Sequence, residues 1–195
     1  MRYFSMFSGI GGMENGIQNS GELLSEKKTK SIQDMSDSKK RQVGLTCVGF
    51  SEIDKYAIQI YKKQYPTHKE YGDASKIDWR ECEDFDMLVG GVPCQAWSIA
   101  GKRGGFKDSR GTLWYEYFRC LKEKQPSMFL AENVKGILSH NGGNSFVQIC
   151  ECFCELGYAI DFEVLNSKNF GVPQNRQRVF IIGMRLDLLD SCQVF

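Results

Sequence analysis

Short apolar runs alternate with longer stretches of helical spacing along the chain. Arg2 to Phe7 is a strand-like run ending in Ser8-Gly9-Ile10-Gly11-Gly12, and a helix is expected from Met13 to about Leu24. The pattern then breaks. Residues 22–44 are polar, with Lys27, Lys28, Lys30, Lys39, Lys40 and Arg41 against Glu22, Glu26, Asp34 and Asp37. They read as an exposed insertion whose charges form a solvated surface. Strand character returns from Leu45 to Ser51 and closes on Glu52, with Tyr56, Ile60 and Tyr61 at helical spacing behind it. A short strand is expected before Gly72-Asp73. Phe85 to Val89 predicts a buried strand leading into Gly90-Gly91-Val92-Pro93-Cys94. Leu113 to Leu121 predicts an aromatic-rich helix, and Ser127 to Ala131 a strand ending at Glu132-Asn133. Phe146 to Leu156 predicts a helix with Gly157 as its C-terminal cap. Tyr158 to Leu165 and Arg178 to Gly183 predict the last two strands. Strand–helix alternation implies an α/β fold with a mostly parallel sheet. No internal repeat and no linker divides the chain.

Composition narrows the picture. At 195 residues the chain is long enough for one domain with its own core. Lys and Arg number 25 against 24 Asp and Glu, a net charge of +1. This balance argues against a strongly basic nucleic-acid binder, while leaving room for a local basic patch. No run approaches the roughly 18 apolar residues of a membrane span. The N-terminus shows no long apolar segment with a small-residue cleavage site. A soluble, cytoplasmic protein is expected. The eight cysteines include no C-x-x-C pair, which argues against a zinc ribbon, and the two histidines exclude a histidine-rich metal site. Cys150, Cys152 and Cys154 fall in a helical stretch where only Cys150 and Cys154 share a face, and are expected to act as buried small apolar groups.

In open α/β sheets ligands bind beyond the carboxyl ends of the strands. Residues capable of chemistry gather at those ends. Gly9, Gly11 and Gly12 permit a tight turn and close approach by a ligand, although a purely structural turn serves equally and the spacing is not G-x-G-x-x-G. Glu52 and Asp73 each end a strand, where a carboxylate accepts hydrogen bonds from a ribose or remains simply exposed. Cys94 follows Pro93 in a strand-end turn, where a thiolate is a strong nucleophile and an inert thiol is the bland reading. Glu132, beside Asn133, is placed to serve as an acid. Gln174, Arg176 and Arg178 alternate, so an extended segment points them to one face, and guanidiniums there suit phosphates and base-edge oxygens. The loop from Ala96 to Gly111 carries Lys102, Arg103, Lys107 and Arg110 among four glycines, suited to closing on a polyanion.

Taken in order, these segments resemble the C5-cytosine DNA methyltransferase family, over nearly the whole chain apart from the insertion. Phe7-Ser8-Gly9-Ile10-Gly11-Gly12 is similar to its first motif, with Ser5 where many members have aspartate. Glu52-Ile53-Asp54 and Gly72-Asp73 are similar to the second and third. Gly91-Val92-Pro93-Cys94-Gln95 with Ser98, continued by Arg110-Gly111-Thr112-Leu113, resembles the catalytic motif. Glu132-Asn133-Val134 and Gln174-Asn175-Arg176-Gln177-Arg178 resemble the acid and Gln-x-Arg-x-Arg motifs.

The resemblance implies a Rossmann-like class I S-adenosylmethionine-dependent methyltransferase fold, a mostly parallel mixed sheet without the small recognition domain. It implies S-adenosylmethionine as cofactor, held by Phe7, Ser8, Gly9, Gly11, Gly12, Glu52 on the ribose, Ile53 on the adenine, Asp73, Pro93 and Leu113. It implies catalysis by Cys94, Glu132, Arg176 and Arg178, and DNA contact by Gln95, Ser98, Lys102, Arg103, Arg110, Asn133 and Gln174. Cys94 would add to C6 of a flipped cytosine, Glu132 would meet N3, Arg178 would hold O2, and no metal is required.

The family's target-recognition region and its ninth and tenth motifs are not found in residues 1–195. The chain is therefore expected to be an incomplete catalytic domain, a split or truncated member of a restriction-modification system. It would be inactive by itself, would depend on a second polypeptide, and would expose an apolar patch where the terminal helix packs. Three other readings are a tRNA cytosine-C5 methyltransferase, an inactive fragment that binds cofactor or a partner, and a cysteine hydrolase pairing Cys94 with His140.

Overall fold

The computed structural model describes residues 1–20, 44–93 and 113–190. Among them, β1 (Arg2–Met6), β2 (Thr46–Ser51), β3 (Glu70–Gly72), β4 (Met87–Gly91), β5 (Met128–Val134), β6 (Tyr158–Asn166) and β7 (Gln177–Arg185) form one sheet in the order β3-β2-β1-β4-β5-β7-β6. The first five run parallel, and β7 is antiparallel to both β5 and β6. The helices are α1 (12–20), α2 (Lys55–Gln64), α3 (Leu113–Lys124), α4 (Asn144–Glu155) and the short α5 (Leu186–Asp190). The expected mostly parallel α/β architecture is the one observed. The polar insertion expected over 22–44 lies outside the described residues except Gly44, whose carbonyl accepts the N-terminal ammonium at 3.0 Å.

Strand residues alternate between two faces. On one face Phe4, Leu88 and Phe129 meet Trp114, Phe118 and Phe153 of α3 and α4, and this is the main core. Tyr117 ties α3 to the sheet by donating its hydroxyl hydrogen bond to the carbonyl of Leu130 at 3.1 Å. On the other face Tyr3, Met87 and Val89 are covered by Met13 and Ile17 of α1, and Phe50 stacks on Tyr61 of α2 at 4.0 Å between ring centres. That cover stops at β4. Farther along the same face, Ile182 and Met184 of β7 remain 43% and 41% exposed.

Several element limits differ from the sequence expectation. β5 continues through Glu132 and Asn133 to Val134, because β7 pairs with it along that whole length. Phe85 precedes β4 and packs into the core instead of opening the strand. Gly157, at φ +86°, ends α4 as expected, and its N–H reaches the Cys154 carbonyl at 3.0 Å. On α4 Cys152 is buried and Cys150 half-buried, with burial pushing their thiols up to about 12 and about 11. Cys154 is exposed, which corrects the expectation that all three are interior.

Candidate active site

The carboxyl ends of β1, β2, β4 and β5 lie along one edge of the sheet, and the antiparallel β7 begins at that same edge. Glu52, one residue past β2, lies against the glycine turn that follows β1. Its Oε2 accepts the Gly9 N–H at 2.8 Å, while Oε1 accepts those of Ile53 and Asp54 at 2.8 and 3.0 Å. One carboxylate thus joins the glycine turn after β1 to the turn after β2. The glycine turn needs left-handed backbone. Phe7, Gly9 and Gly11 have φ of +56°, +57° and +93°, and a Cβ on Gly11 would stand 2.5 Å from Cε2 of Tyr65. Ser8 ties this turn to β2 through its N–H on the Ser51 carbonyl at 3.1 Å, and Phe7 packs against the main core. Gly12 opens α1 with free space at its Cα.

Two further carboxylates flank this edge. Asp54 caps α2 by accepting the N–H groups of Ala57 and Tyr56, which hold it below the usual carboxylate range. Asp73, expected among the cofactor-holding residues, accepts the Ser75 hydroxyl and N–H at 2.7 and 3.0 Å, and those bonds likewise hold it low. Beside Glu52, Ile53 is 75% exposed. Leu113 starts α3 half-buried against the main core.

The structure also brings Glu132 and Arg178 together. Glu132 of β5 faces Phe180 of β7 in the register, so Arg178 is its diagonal neighbour on the same face. Arg178 Nε lies 2.8 Å from Glu132 Oε1, and each side chain is 21% exposed. The next strand contributes an absence of side chain: a Cβ on Gly91, the register partner of Glu132, would be 3.1 Å from Glu132 Oε2. Asn133 points to the opposite face and is 1% exposed. Its Nδ2 donates to the Val92 carbonyl at 3.0 Å and its Oδ1 accepts the Val134 N–H at 2.8 Å. Asn133, expected to contact substrate, here pins the Val92-Pro93 turn from behind. Val92 N–H on the Glu132 carbonyl, at 3.1 Å, makes the second pin.

The run of Gln174, Arg176 and Arg178 is not one extended segment. β7 starts at Gln177, and residues 173–174 bend, so only Arg178 is presented by the strand. Exposed Arg176 is held instead by its backbone. Buried Asn166, at the end of β6, accepts the Arg176 and Lys168 N–H groups at 3.2 and 3.3 Å and donates to Asn175 Oδ1 at 2.8 Å. Asn166 carries no motif-like signal, and the motif that holds Gly91 gives no sign of its partner, because each acts on residues brought to it by strand pairing. Cys94, Gln95, Ser98, Lys102, Arg103 and Arg110 lie outside the described residues, and exposed Pro93 is the last residue before them. His140 Nδ1 lies 2.6 Å from the Ser145 hydroxyl. Among the described residues no three His, Cys, Asp or Glu side chains gather as a metal site, and no helix is long and apolar enough to cross a membrane.

Known proteins match this arrangement. The profile of the C-5 cytosine-specific DNA methylase family matches residues 1–193. The orphan methyltransferase M.SPRI of Bacillus phage SPR is 47% identical over 193 residues, covering 98% of this chain and 39% of that protein. The type II methyltransferase M.NlaIV of Neisseria lactamica is 37% identical over 190 residues, covering 94% and 41%. The chain thus spans about two-fifths of the length of these relatives. The fold matches the Dnmt2 methyltransferase of S. pombe with a TM-score of 0.65 at 18% identity, covering all of this chain and 56% of that one. The Entamoeba histolytica methyltransferase EhMeth gives 0.60 at 17% identity, covering 95% and 53%. By profile, by identity and by the order of its motifs, this chain belongs to the C-5 cytosine-specific DNA methylase family.

Proposed function

We propose that this chain is the catalytic part of an enzyme that methylates C5 of cytosine in DNA within a restriction-modification setting, through a covalent Cys94 adduct on a flipped base. The observation that carries the reading is the Glu132–Arg178 pair, set on adjoining strands beside the turn that leads into Cys94. N3 and O2 are adjacent on a cytosine ring, so two groups in contact with each other suit that edge. Glu132 hydrogen-bonds or protonates N3, offsetting the charge that develops when the Cys94 thiolate forms a bond to C6. Arg178 holds O2, and Arg176 meets the backbone phosphates. C5, now enamine-like, takes the methyl group. A base then removes the C5 proton, and Cys94 leaves by elimination. The target carbons are unreachable in a stacked duplex, so the base must be flipped out.

The family and its fold are those of S-adenosylmethionine-dependent methyltransferases, and the residues present suit that cofactor. Oε2 of Glu52 receives one N–H and keeps a lone pair for a ribose hydroxyl, while exposed Ile53 offers an apolar surface to adenine. The glycine turn and Asp73 complete the set. When bound, the cofactor supplies an electrophilic methyl group.

We infer that activity requires the region that its relatives carry beyond the part matched here. The uncovered β7 residues Ile182 and Met184, with Phe180 beside them, support this reading. The test is tritiated-methyl incorporation into DNA and into tRNA, by the chain alone and with the recognition region of a relative such as M.SPRI added in trans. Transfer to DNA only after addition is expected, together with loss of at least ~100-fold in the Cys94→Ser variant. A DNA duplex bearing 5-fluorocytosine, whose C5 cannot release a proton, should trap the chain covalently. Robust transfer by residues 1–195 alone sinks the requirement for that region. Transfer to tRNA and not DNA overturns the substrate, and full activity of the Cys94→Ser variant overturns the mechanism.

A further inference from the structure

A carboxyl group lies buried behind the glycine turn, outside every motif used so far. Glu14, in the first turn of α1, has no exposed surface. Its Oε1 accepts the Tyr61 hydroxyl of α2 at 3.0 Å. With that hydrogen committed, the Tyr61 oxygen accepts from His68 Nδ1, also at 3.0 Å. His68 stacks on Tyr65 with rings 7° from parallel, and the Tyr65 hydroxyl reaches the Gly11 carbonyl at 3.4 Å. The Tyr65 ring also fills the space a side chain on Gly11 would take. The chain of contacts therefore leaves α1 at Glu14, passes through α2, and returns to the glycine turn three residues earlier.

A buried carboxyl is costly unless it is neutral or fully hydrogen-bonded. Among the described residues neither Oε2 of Glu14 nor the hydroxyl of Ser5, which lies beside the carboxyl, makes a hydrogen bond of good geometry. Apolar packing fills this position at less cost, so the carboxyl calls for an explanation beyond stability. Its location supplies one. α1 and α2 are the helices that follow the two turns joined by Glu52, and the Tyr61 ring lies on Phe50, two residues before Glu52.

Resting on the methyltransferase reading, we propose that Glu14 and Tyr61 are positioning residues for the cofactor: their hydrogen bond fixes α1 against α2 and so holds Gly9, Gly11 and Glu52 in the spacing that receives the ribose and methionine ends. Neither residue touches the reacting atoms. Their loss should therefore weaken cofactor binding and leave the chemical step alone.

The experiment uses the chain combined with the supplied recognition region, in wild-type, Glu14→Gln, Glu14→Leu and Tyr61→Phe forms. It measures the Kd for tritiated S-adenosylmethionine by equilibrium dialysis, KM and kcat for methyl transfer, and Tm. Glutamine keeps the shape, accepts from Tyr61 and donates to Ser5, so Glu14→Gln should stay within about two-fold of wild type. Glu14→Leu and Tyr61→Phe should raise Kd and KM by roughly three- to ten-fold, the worth of one hydrogen bond, with kcat at saturation unchanged. Unchanged Kd in Tyr61→Phe, the gentler variant, overturns the proposal even if Glu14→Leu fails to fold. A fall in Tm without a change in Kd also overturns it, because the cluster would then be structural only. A wild-type complex that binds no S-adenosylmethionine removes the functional reading and the proposal together, whereas binding that all four forms share removes the proposal alone.

Discussion

At the scale of single residues, the candidate site depends on one position that has no side chain. Gly91 sits opposite Glu132 across β4 and β5, and a methyl group there would press to 3.1 Å on an oxygen of a carboxyl already fixed by Arg178. Gly91→Ala should therefore displace Glu132 by a few tenths of an ångström and lower kcat by ~3–10-fold in the complemented enzyme, because small misplacements of catalytic groups are costly. The urea midpoint of the chain should hold, since the strain falls on a side chain that is partly exposed and free to shift. An unchanged kcat would mean that Glu132 is not held in place. This constraint was hidden in the sequence, where Gly91 reads as a residue of a strand-end turn. Residues marked by type at strand ends were legible, as Gly9, Gly11 and Glu52 were, although the bond joining Gly9 to Glu52 was not. Residues that work through a distant partner were not. Glu14 meets Tyr61 47 positions away, and Asn133 looked like a substrate contact because its inward turn depends on β5 running past it.

At the scale of elements, alternation along the sequence revealed the strands but not the insertion of β7 between β5 and β6. Periodicity reports which residues are buried and is silent on which strand lies beside which. The expected end of the last strand at Gly183 shows the difficulty. Glycine reads as a terminator, yet β7 continues to Arg185. Gly183 is glycine because Phe129 of β5 lies over it: a Cβ there would overlap Cε1 of that ring. Phe129 cannot retreat, being stacked on Phe153 at 4.2 Å and edge-on to Tyr117 and Tyr158. Gly183→Ala should cost ~2–3 kcal/mol of stability, read as a lower urea midpoint with unchanged slope. Adding Phe129→Leu should cost less in that background than in the wild type, because the two sites share one space. Additive losses would show that the ring is not what excludes the side chain. The same pairing brings Arg178 to Glu132, so this overlap of glycine and phenylalanine fixes the register on which the site depends.

At the scale of the whole molecule, the Glu14–Tyr61–His68 cluster makes stability respond to pH in two opposed ways. Burial raises Glu14 above its ordinary 4.5, so the unfolded chain releases that proton first. Its contribution is whole below the unfolded value and is lost as pH rises through the folded one. Burial lowers His68 below its ordinary 6.5, so the unfolded chain takes up that proton first. Its contribution is whole above 6.5 and is lost as pH falls through the folded value. The other titratable groups facing Glu14 are Tyr3 of β1, Cys47 of β2, Tyr61 of α2 and Tyr65 at the C-terminal cap of α2. Burial raises all four, Cys47 to about 11, so none of them changes charge in the native chain between pH 5 and 8. Within that range the free energy of urea unfolding should therefore be shaped at this site by Glu14 and His68. In Glu14→Gln the alkaline-side loss should vanish, so its advantage over wild type should grow as pH rises from about 4.5. In His68→Phe, which keeps a ring against Tyr65, the loss on the acid side should vanish instead. Parallel pH profiles for wild type and Glu14→Gln would mean that Glu14 carries the same proton in both states, folded and unfolded. The carboxyl would then be a neutral spacer between two helices, and its hydrogen bond to Tyr61 would need no proton balance to explain it.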